Sequence, residues 1–257
     1  MSCCLTRWPE HVGVWLLLGA AYLSSCGGVQ SAPATSADGA PGSAEHEPPP
    51  DNSDSLKDLR RKLASGLGAA TELNLAAKGF GPGLGALLAG SPELAQLTSL
   101  DISDNDMGPD GVRALLGANN LKQLRELDLG GNDVGDAGAQ AIAQAATLAG
   151  LETLNVSGNS IAASGATALA EASASHLSSL DLSMNSIGES GAAALAHTHI
   201  PLESLYLLGC EIGPDGVKAL AESSSLSKLT VLALSGNNLG DDGAQALAKS
   251  TTLSRLT

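Results

Sequence analysis

Hydrophobic positions along most of the chain follow one pattern, which recurs every 25 to 27 residues between about Leu73 and Ala248. Each copy has apolar residues in alternation, then an asparagine, then spaced glycines and an alanine-rich stretch. The alternation predicts a short strand in which Leu100 and Ile102 face inwards and Asp101 faces outwards. The alanine-rich stretch has the composition and apolar spacing of a helix. A strand, a turn and a helix at this period predict an α/β solenoid rather than a closed globule.

One asparagine ends the apolar alternation of most copies. Its short amide can bond the backbone of its own turn and of the neighbouring turn, which predicts a structural ladder along the stacked copies. The ladder residues are Asn105, Asn132, Asn159, Asn185, Cys210 and Asn237. Cys210 bonds more weakly but is small and readily buried, so we expect the ladder to bend at the sixth copy without breaking.

The repeated motif resembles that of the leucine-rich repeat family. A clear copy reads Leu97-x-x-Leu100-Asp-Ile102-x-x-Asn105, and several copies end in Gly-Ala-x-Ala-Leu-Ala, which is similar to the ribonuclease-inhibitor-like and GALA-type subclass. The resemblance implies a horseshoe with a parallel β-sheet on the concave face and α-helices on the convex face. Curvature is expected because strands stack at about 4.8 Å whereas helices need about 8–10 Å.

The amino-terminal residues resemble the leader of a bacterial lipoprotein. Residues 11–22 are mostly apolar but too few to span a bilayer, which favours a secretory signal over a transmembrane helix. The Leu-Ser-Ser-Cys that follows resembles a lipobox, which implies a signal peptide over 1–25, cleavage before Cys26 and lipid on that cysteine. Gly27 after it is, by the same resemblance, compatible with sorting to the outer membrane.

Two other interpretations of this segment stay open. In one, an ordinary signal is cleaved and Cys26 is incidental. In the other, Cys3 and Cys4 are acylated, although this leaves the Leu-Ser-Ser-Cys motif unexplained.

Composition divides the rest of the chain into three parts. Residues 26–54 are rich in Gly, Ser, Ala and Pro, which predicts a disordered tether behind the lipidated cysteine. Residues 55–69 carry leucines at helical spacing and predict an N-terminal capping helix. Residues 70–257 hold seven repeats and the start of an eighth, with no polar capping unit after it. Because an uncovered strand edge invites association, we expect either that the natural sequence continues beyond this point or that another domain or subunit covers this end, self-association being one such arrangement.

The charge and motif content exclude several classes of function. The 257 residues include 27 acids and 13 bases, a formal charge of −14, and no basic cluster, so nucleic acid is not an expected partner. Nucleophile elbows, phosphate-binding loops and Cys-x-x-Cys pairs are absent from the sequence, so we expect neither enzyme activity nor a cofactor. His197 and His199 are spaced like two metal ligands, but a place at a helix C-terminus explains them and no metal is expected.

The outward-facing strand positions form the predicted binding surface for a protein partner. They are Asp101, Asp128, Asn155, Asp181, Tyr206, Leu208 and Val231. The first copies present acids, whereas the sixth and seventh present apolar side chains, which is typical of an interaction site, and Tyr206 is the expected anchor. The carboxylates would also suit Ca²⁺ or acid–base catalysis, but solvated strand positions are an ordinary place for aspartate.

Together these patterns predict a non-catalytic protein-binding scaffold displayed through a lipid anchor on the bacterial cell envelope, at the outer membrane, in the periplasm or at the cell surface. One alternative is a regulator or effector of an enzyme system of the ubiquitin-ligase or GTPase-activating type, which needs an F-box or a catalytic arginine loop. No arginine of the repeats stands in a distinctive loop of the sequence. Another alternative is an intracellular immune-type repeat protein.

Overall fold

The computed structural model describes residues 53–118 and 120–257. The predicted signal peptide over 1–25, the predicted lipidation site Cys26 and the tether up to residue 52 lie outside the described residues. Within the described ranges, no helix is long and apolar enough to cross a membrane.

Short strands alternate with helices along the described chain, as the repeat pattern predicts. The strands β1–β7 are Glu72–Asn74, Ser99–Asp101, Glu126–Asp128, Thr153–Asn155, Ser179–Asp181, Ser204–Tyr206 and Val231–Ala233. The helices α1–α8 are Ser53–Ala64, Gly83–Ala89, Gly108–Leu116, Gly135–Gln144, Ala163–Ala170, Gly188–Ala196, Gly213–Glu222 and Gly240–Lys249. Single 3₁₀ turns at Pro92–Gln96 and Ala146–Gly150 precede β2 and β4.

All seven strands form one parallel sheet in chain order. Neighbouring strands pair at the same repeat position, and the central leucines therefore form one column. The column runs through Leu73, Leu100, Leu127, Leu154, Leu180, Leu205 and Leu232. The predicted α/β solenoid of leucine-rich repeats is confirmed, with a helix providing each crossover that a parallel pair requires.

The hydrophobic core lies between the sheet and the helices. In the fifth repeat, Leu180 and Leu182 from the strand side meet Leu195 of α6, and all three are fully buried. Small residues let the helices approach closely. A Cβ on Gly85 in α2 would lie 1.8 Å from the carbonyl oxygen of Gly111 in α3, so only glycine fits at this crossing.

The capping helix α1 occupies Ser53–Ala64 rather than the predicted 55–69. Its start therefore includes the last two residues assigned to the tether by composition. It ends before Gly66, which adopts a φ of +89° and donates its N–H to the Leu63 carbonyl at 2.8 Å. A left-handed residue is a common helix stop and costs glycine little. Leu59 and Leu63 are buried and join the core of the first repeats.

The hydrogen bonds of Asn132 illustrate the asparagine ladder. Its Oδ1 accepts the backbone N–H groups of Asn105 and Met107 at 3.1 and 3.3 Å. Its Nδ2 donates to the carbonyls of Ile102 and Leu129 at 2.9 and 3.0 Å. The five ladder asparagines are buried, so their amides satisfy backbone groups that water does not reach.

Cys210 changes the ladder in the sixth repeat. Its backbone N–H still donates to Asn237 Oδ1 at 2.7 Å, and its thiol lies 3.2 Å from the Leu182 carbonyl. It offers no amide oxygen to the N–H of Ile187, which donates instead to the Asn185 carbonyl at 2.9 Å. Burial raises the pKa of the Cys210 thiol to about 11, so the group stays a neutral thiol.

Helix α5 starts differently from its neighbours. In the third repeat the first residue of helix α4, Gly135, has a φ of +58°, whereas Ala162, which holds the same repeat position before α5, has a φ of −102°. Asp136 of the third repeat accepts the N–H groups of Ala162 and Gly165 at 2.8 and 3.0 Å and the hydroxyl of Ser164. Asp136 therefore caps α5 from the adjacent repeat. Burial acts to raise the pKa of Asp136, but these hydrogen bonds outweigh it and hold the pKa below its ordinary value.

Hydroxyl groups form a second ladder at the helix C-termini, which the sequence analysis did not find. Thr198 donates to the Ala170 carbonyl of the previous helix at 2.7 Å, and Ser223 makes the equivalent bond one repeat later at 2.5 Å. His197 is exposed and lies 2.8 Å from the Ala193 carbonyl of its own helix. The buried residue of the His-Thr-His sequence is therefore Thr198.

Burial decreases in the seventh repeat. Leu205 and Leu207 are fully buried in the sixth repeat, whereas Leu232 and Leu234 in the seventh are half-buried. The N–H of Thr257 donates to the Thr230 carbonyl at 3.1 Å. The residue before each of β2–β7 donates in the same way to the carbonyl of the equivalent residue one repeat earlier. Thr257 thus makes the backbone hydrogen bond that in the earlier repeats comes directly before a strand.

Candidate protein-binding surface

The last residue of each strand faces away from the core, and these residues form a row across the sheet. In chain order the strand-end row is Asn74, Asp101, Asp128, Asn155, Asp181, Tyr206 and Ala233. The structure places five of the seven predicted partner-binding residues in this row. Leu208 follows β6, and Val231 begins β7. Since side chains alternate along a strand, Val231 lies on the same face as the row. Leu208 is exposed in the turn after β6, two residues beyond the row residue Tyr206.

The carboxylates and amides of the strand-end row hold the turn after each strand. Asp101 Oδ1 accepts the N–H of Ser103 at 3.1 Å, and Asp181 Oδ1 accepts the N–H of Ser183 at 2.8 Å. The same contact, with the residue two positions on, is made by Asn74, Asp128 and Asn155. Such turns are a structural reason for Asp and Asn at these positions, independent of any partner.

Asp128 is the most enclosed carboxylate of the row. Burial, with smaller contributions from the charges of Asp101 and Asp181, raises the pKa of Asp128 to about 6. Hydrogen bonds from the Gly130 N–H at 2.9 Å and from Asn155 Nδ2, 3.0 Å from both carboxylate oxygens, act in the opposite direction. The middle of the row therefore contains a carboxylate that titrates closer to neutral pH than a solvated one.

The sixth repeat replaces the turn-holding residue with Tyr206, which is half-buried. The N–H of Leu208, two positions on, donates to the Ser183 hydroxyl at 3.2 Å, so a residue of the fifth repeat supports this turn. The Leu208 side chain is 36% exposed. Val231 is half-buried beside Ser204, and it extends the apolar surface to the seventh repeat.

Met184 belongs to the same surface, although the sequence analysis did not select it. It precedes the ladder residue Asn185, and its side chain is 69% exposed. The residues in the equivalent position are Ala77, Asp104, Gly131, Gly158, Gly209 and Gly236, and all of them have positive φ. Met184 also has a φ of +58°, which costs a side chain about 1–2 kcal/mol relative to glycine. A column-by-column comparison of the repeats would have found it as a methionine where glycine predominates.

We call Met184, Tyr206, Leu208 and Val231 the apolar patch. The Met184 N–H donates to the Leu208 carbonyl at 2.7 Å. A Cβ on Gly209 would lie 3.1 Å from Met184 Sδ, so the thioether lies across this glycine beside Leu208. The patch therefore spans the fifth, sixth and seventh repeats.

Acidic residues predominate around the apolar patch, and the exposed base nearest to it along the chain is Lys228, three residues before Val231. From Glu126 to Val217 the sequence has eleven acidic residues and neither lysine nor arginine. Asp181 pairs in register with Tyr206, while Glu203 and Glu211 are exposed in the same repeat. A surface on which acids predominate attracts cationic groups and repels anionic ones.

Two arginines of the repeats, Arg113 and Arg125, make local contacts rather than extend from a loop. Arg113 contacts Asp110 of its own helix at 2.5 Å. Arg125 lies 3.7 Å from Glu152 and donates to the Gly150 carbonyl at 2.8 Å. These contacts do not favour the enzyme-regulator alternative, which needs an extended catalytic arginine. Among residues 53–118 and 120–257, no three His, Cys, Asp or Glu side chains are grouped as a metal site.

Comparison with known proteins decides the family. Six segments of the chain match the leucine-rich repeat family, at residues 96–116, 121–143, 151–170, 173–196, 198–221 and 225–248. These segments make up more than half of the sequence. The chain belongs to the leucine-rich repeat family. Leucine-rich repeats indicate a protein-binding scaffold, and proteins of this family are typically non-catalytic.

This leucine-rich repeat chain was also compared with solved structures and with curated proteins. The crystal structure of an internalin from Listeria monocytogenes is similar to it, with 17% sequence identity and a TM-score of 0.23. The alignment covers 77% of this chain and 87% of the internalin chain. No curated protein matches the sequence.

Proposed function

We propose that this leucine-rich repeat protein is a lipid-anchored, non-catalytic scaffold of the bacterial cell envelope that binds a protein partner on the open face of its sheet. The observation that carries the binding proposal is the apolar patch, because exposed apolar side chains rimmed by polar ones are typical of interaction sites. We also propose that the chain belongs to the ribonuclease-inhibitor-like and GALA-type subclass, because several of its repeats end in Gly-Ala-x-Ala-Leu-Ala.

The anchor proposal rests on the sequence before the repeats. The Leu-Ser-Ser-Cys at residues 23–26 follows an apolar stretch, as a lipobox does, and Gly27 is compatible with outer-membrane sorting. We propose cleavage before Cys26 and lipid attachment to it. As a flexible coil, the segment between Cys26 and α1 would hold the repeats on the order of 30 Å from the membrane.

The anchor is tested by metabolic labelling with radioactive palmitate in a bacterial host. The wild-type chain should incorporate the label and should accumulate as a longer precursor when globomycin blocks the lipoprotein signal peptidase. Cys26→Ser should abolish labelling, whereas Cys210→Ser, which changes a buried cysteine of the repeats, should leave it intact. Equal labelling of wild type and Cys26→Ser would contradict lipidation at this residue.

Partner binding is tested by photo-crosslinking in intact cells. A photoreactive amino acid at Leu208 in the apolar patch is compared with one at Gln140, which is exposed on α4. We expect a discrete crosslinked product from position 208 alone, and its loss when Tyr206→Ala is added. Identical products from both positions, or a product that Tyr206→Ala leaves unchanged, would contradict this use of the surface.

Self-association is a separate proposal for the seventh repeat. The half-buried leucines at positions 232 and 234 form an apolar surface that a second copy could cover. Sedimentation velocity of the full chain in detergent should show a species larger than one chain. A single monomeric species across the accessible concentrations would contradict the proposal.

A further inference from the structure

Met184 is conformationally unfavourable for the fold, and its exposure indicates a role outside it. Its backbone is left-handed, in a position where four other repeats have glycine. Its side chain is 69% exposed and is the most exposed large hydrophobic residue in the described part of the chain. Strained residues that add no burial are concentrated at binding sites, because the surrounding structure holds them there for a partner.

The residues around Met184 define what the patch can accept. Met184 and Leu208 are joined by a backbone hydrogen bond of 2.7 Å, and Tyr206 and Val231 continue the surface across the next two strands. A flexible thioether beside an aliphatic and an aromatic side chain suits a large apolar group of the partner. The patch follows neighbouring strands, so an extended segment can lie across it.

The electrostatic surroundings define the charge of that segment. Asp181, Glu203 and Glu211 lie in the fifth and sixth repeats, and the 92 residues from 126 to 217, which include Met184, Tyr206 and Leu208, carry no lysine or arginine. Lys228, three residues before Val231, is the exposed base nearest to the patch along the chain. An incoming carboxylate or phosphate would find no lysine or arginine on β5, on β6 or in the turns that follow them. A cationic segment would be attracted to it and would remain close to the patch.

We infer that the apolar patch binds a segment of a protein partner in which a large apolar side chain is flanked by lysine or arginine. This inference rests on the proposed function and specifies the partner's chemistry. A second copy of this chain does not fit the patch, because each copy has a formal charge of −14 and would bring more acids to an acidic surface. The apolar side chain would contact Met184 and Leu208, and the flanking cations would face Asp181, Glu203 and Glu211.

The probe is a phage-displayed library of random 12-residue peptides, selected on the immobilised full chain purified in detergent. The enriched peptides are synthesised, and their dissociation constants are measured for wild type, Met184→Gly and Ala77→Gly. Ala77→Gly is the matched control, because Ala77 holds the same left-handed position in the first repeat, outside the patch. Both glycine variants remove a side chain from a conformation that favours glycine, so both should fold and melt at or above the wild-type temperature.

The inference predicts enriched peptides with an aromatic or large aliphatic residue between lysines or arginines. Their affinity should fall at least tenfold for Met184→Gly, stay within twofold for Ala77→Gly, and weaken as salt rises. Neutral or acidic enriched peptides, equal affinity for Met184→Gly and wild type, or no enrichment would each overturn the inference. The scaffold proposal is judged separately, by the crosslink at position 208, so the two can fail independently.

Discussion

The third and sixth repeats form the same strand and helix but carry different residues at the end of the strand and at the ladder position. The third has Asp128 in the strand-end row and Asn132 in the ladder, and both side chains bond the backbone. The sixth has Tyr206 and Cys210 at those positions, and Ser183 and the Asn185 carbonyl take over two of the missing contacts. The comparison shows that a solenoid can lose structural side chains in one repeat when adjacent repeats supply the hydrogen bonds.

The largest expected effect comes from removing a ladder amide in the regular region. Asn132→Ala leaves the buried N–H groups of Asn105 and Met107 and three carbonyls without their partner, which should cost about 3–5 kcal/mol of unfolding free energy. Cys210→Ala is the matched change in the sixth repeat and should cost about 1 kcal/mol. Urea denaturation followed by circular dichroism measures both, and equal losses would contradict the difference between the two repeats.

The next effect concerns the pH dependence of the row. Folding raises the pKa of Asp128 from 3.8 to about 6, so the folded chain binds this proton more tightly than the unfolded chain. The associated stability is fully present below pH 3.8 and is lost as the pH rises through about 6, by at most about 3 kcal/mol.

Asp128→Asn should remove this component. Relative to wild type, the variant should gain stability as the pH rises from about 4 to about 7. Because the Asp128 side chain is half-buried and solvent screens it, the gain should be smaller than the upper limit given above. Hydrogen bonds changed by the substitution affect both ends of the range equally. Parallel unfolding curves for the two proteins across this range would show that Asp128 has no raised pKa.

A smaller effect is expected where one repeat caps the next. Asp136→Ala removes the cap of α5 and should cost about 1–2 kcal/mol. Asp110→Ala is the control, because Asp110 is an exposed first-turn acid whose side chain contacts Arg113 of its own helix. It should cost less than about 0.5 kcal/mol. Thermal melts compare the two variants, and similar losses would contradict a capping role that is specific to Asp136.

The smallest effect is a gain. Cys210→Asn restores the amide that the sixth repeat lacks and should raise the unfolding free energy by about 0.5–1 kcal/mol, because the Ile187 N–H already bonds the Asn185 carbonyl. Cys210→Ser is the control, because serine supplies one hydroxyl but lacks the separate oxygen acceptor and NH₂ donor of an amide. It should raise the unfolding free energy by less than Cys210→Asn does. A loss of stability with asparagine would show that the sixth repeat has adapted to cysteine.

The repeat pattern predicted the architecture because it presents the same local sequence features several times along the chain. The apolar alternation within each strand predicted that Leu100 and Leu127 occupy neighbouring places in one interior column. The register of β2 and β3 confirms it. Regular patterns were less informative at their ends. The helix α1 starts and stops elsewhere than 55–69, because Gly66 adopts a left-handed conformation that composition does not reveal.

The candidate surface was only partly predictable. Tyr206, Leu208 and Val231 could be found because apolar residues interrupt a polar column. Met184 could not be found from strand alternation, because it lies beyond the strand in a left-handed position. The row's carboxylates were expected on the surface, but their contacts with the turns depend on backbone geometry two residues away.

The sequence by itself determined the solenoid, the identity of its ladder residues and the acidic charge of its middle repeats, since these depend on the order of residue types along the chain. Tertiary structure alone decided the contacts between repeats: Asp136 capping α5, Ser183 supporting the turn at Leu208, and Met184 lying beside Leu208. The residues in these contacts are about 25 positions apart in sequence, and only stacking brings them within hydrogen-bond or van der Waals distance.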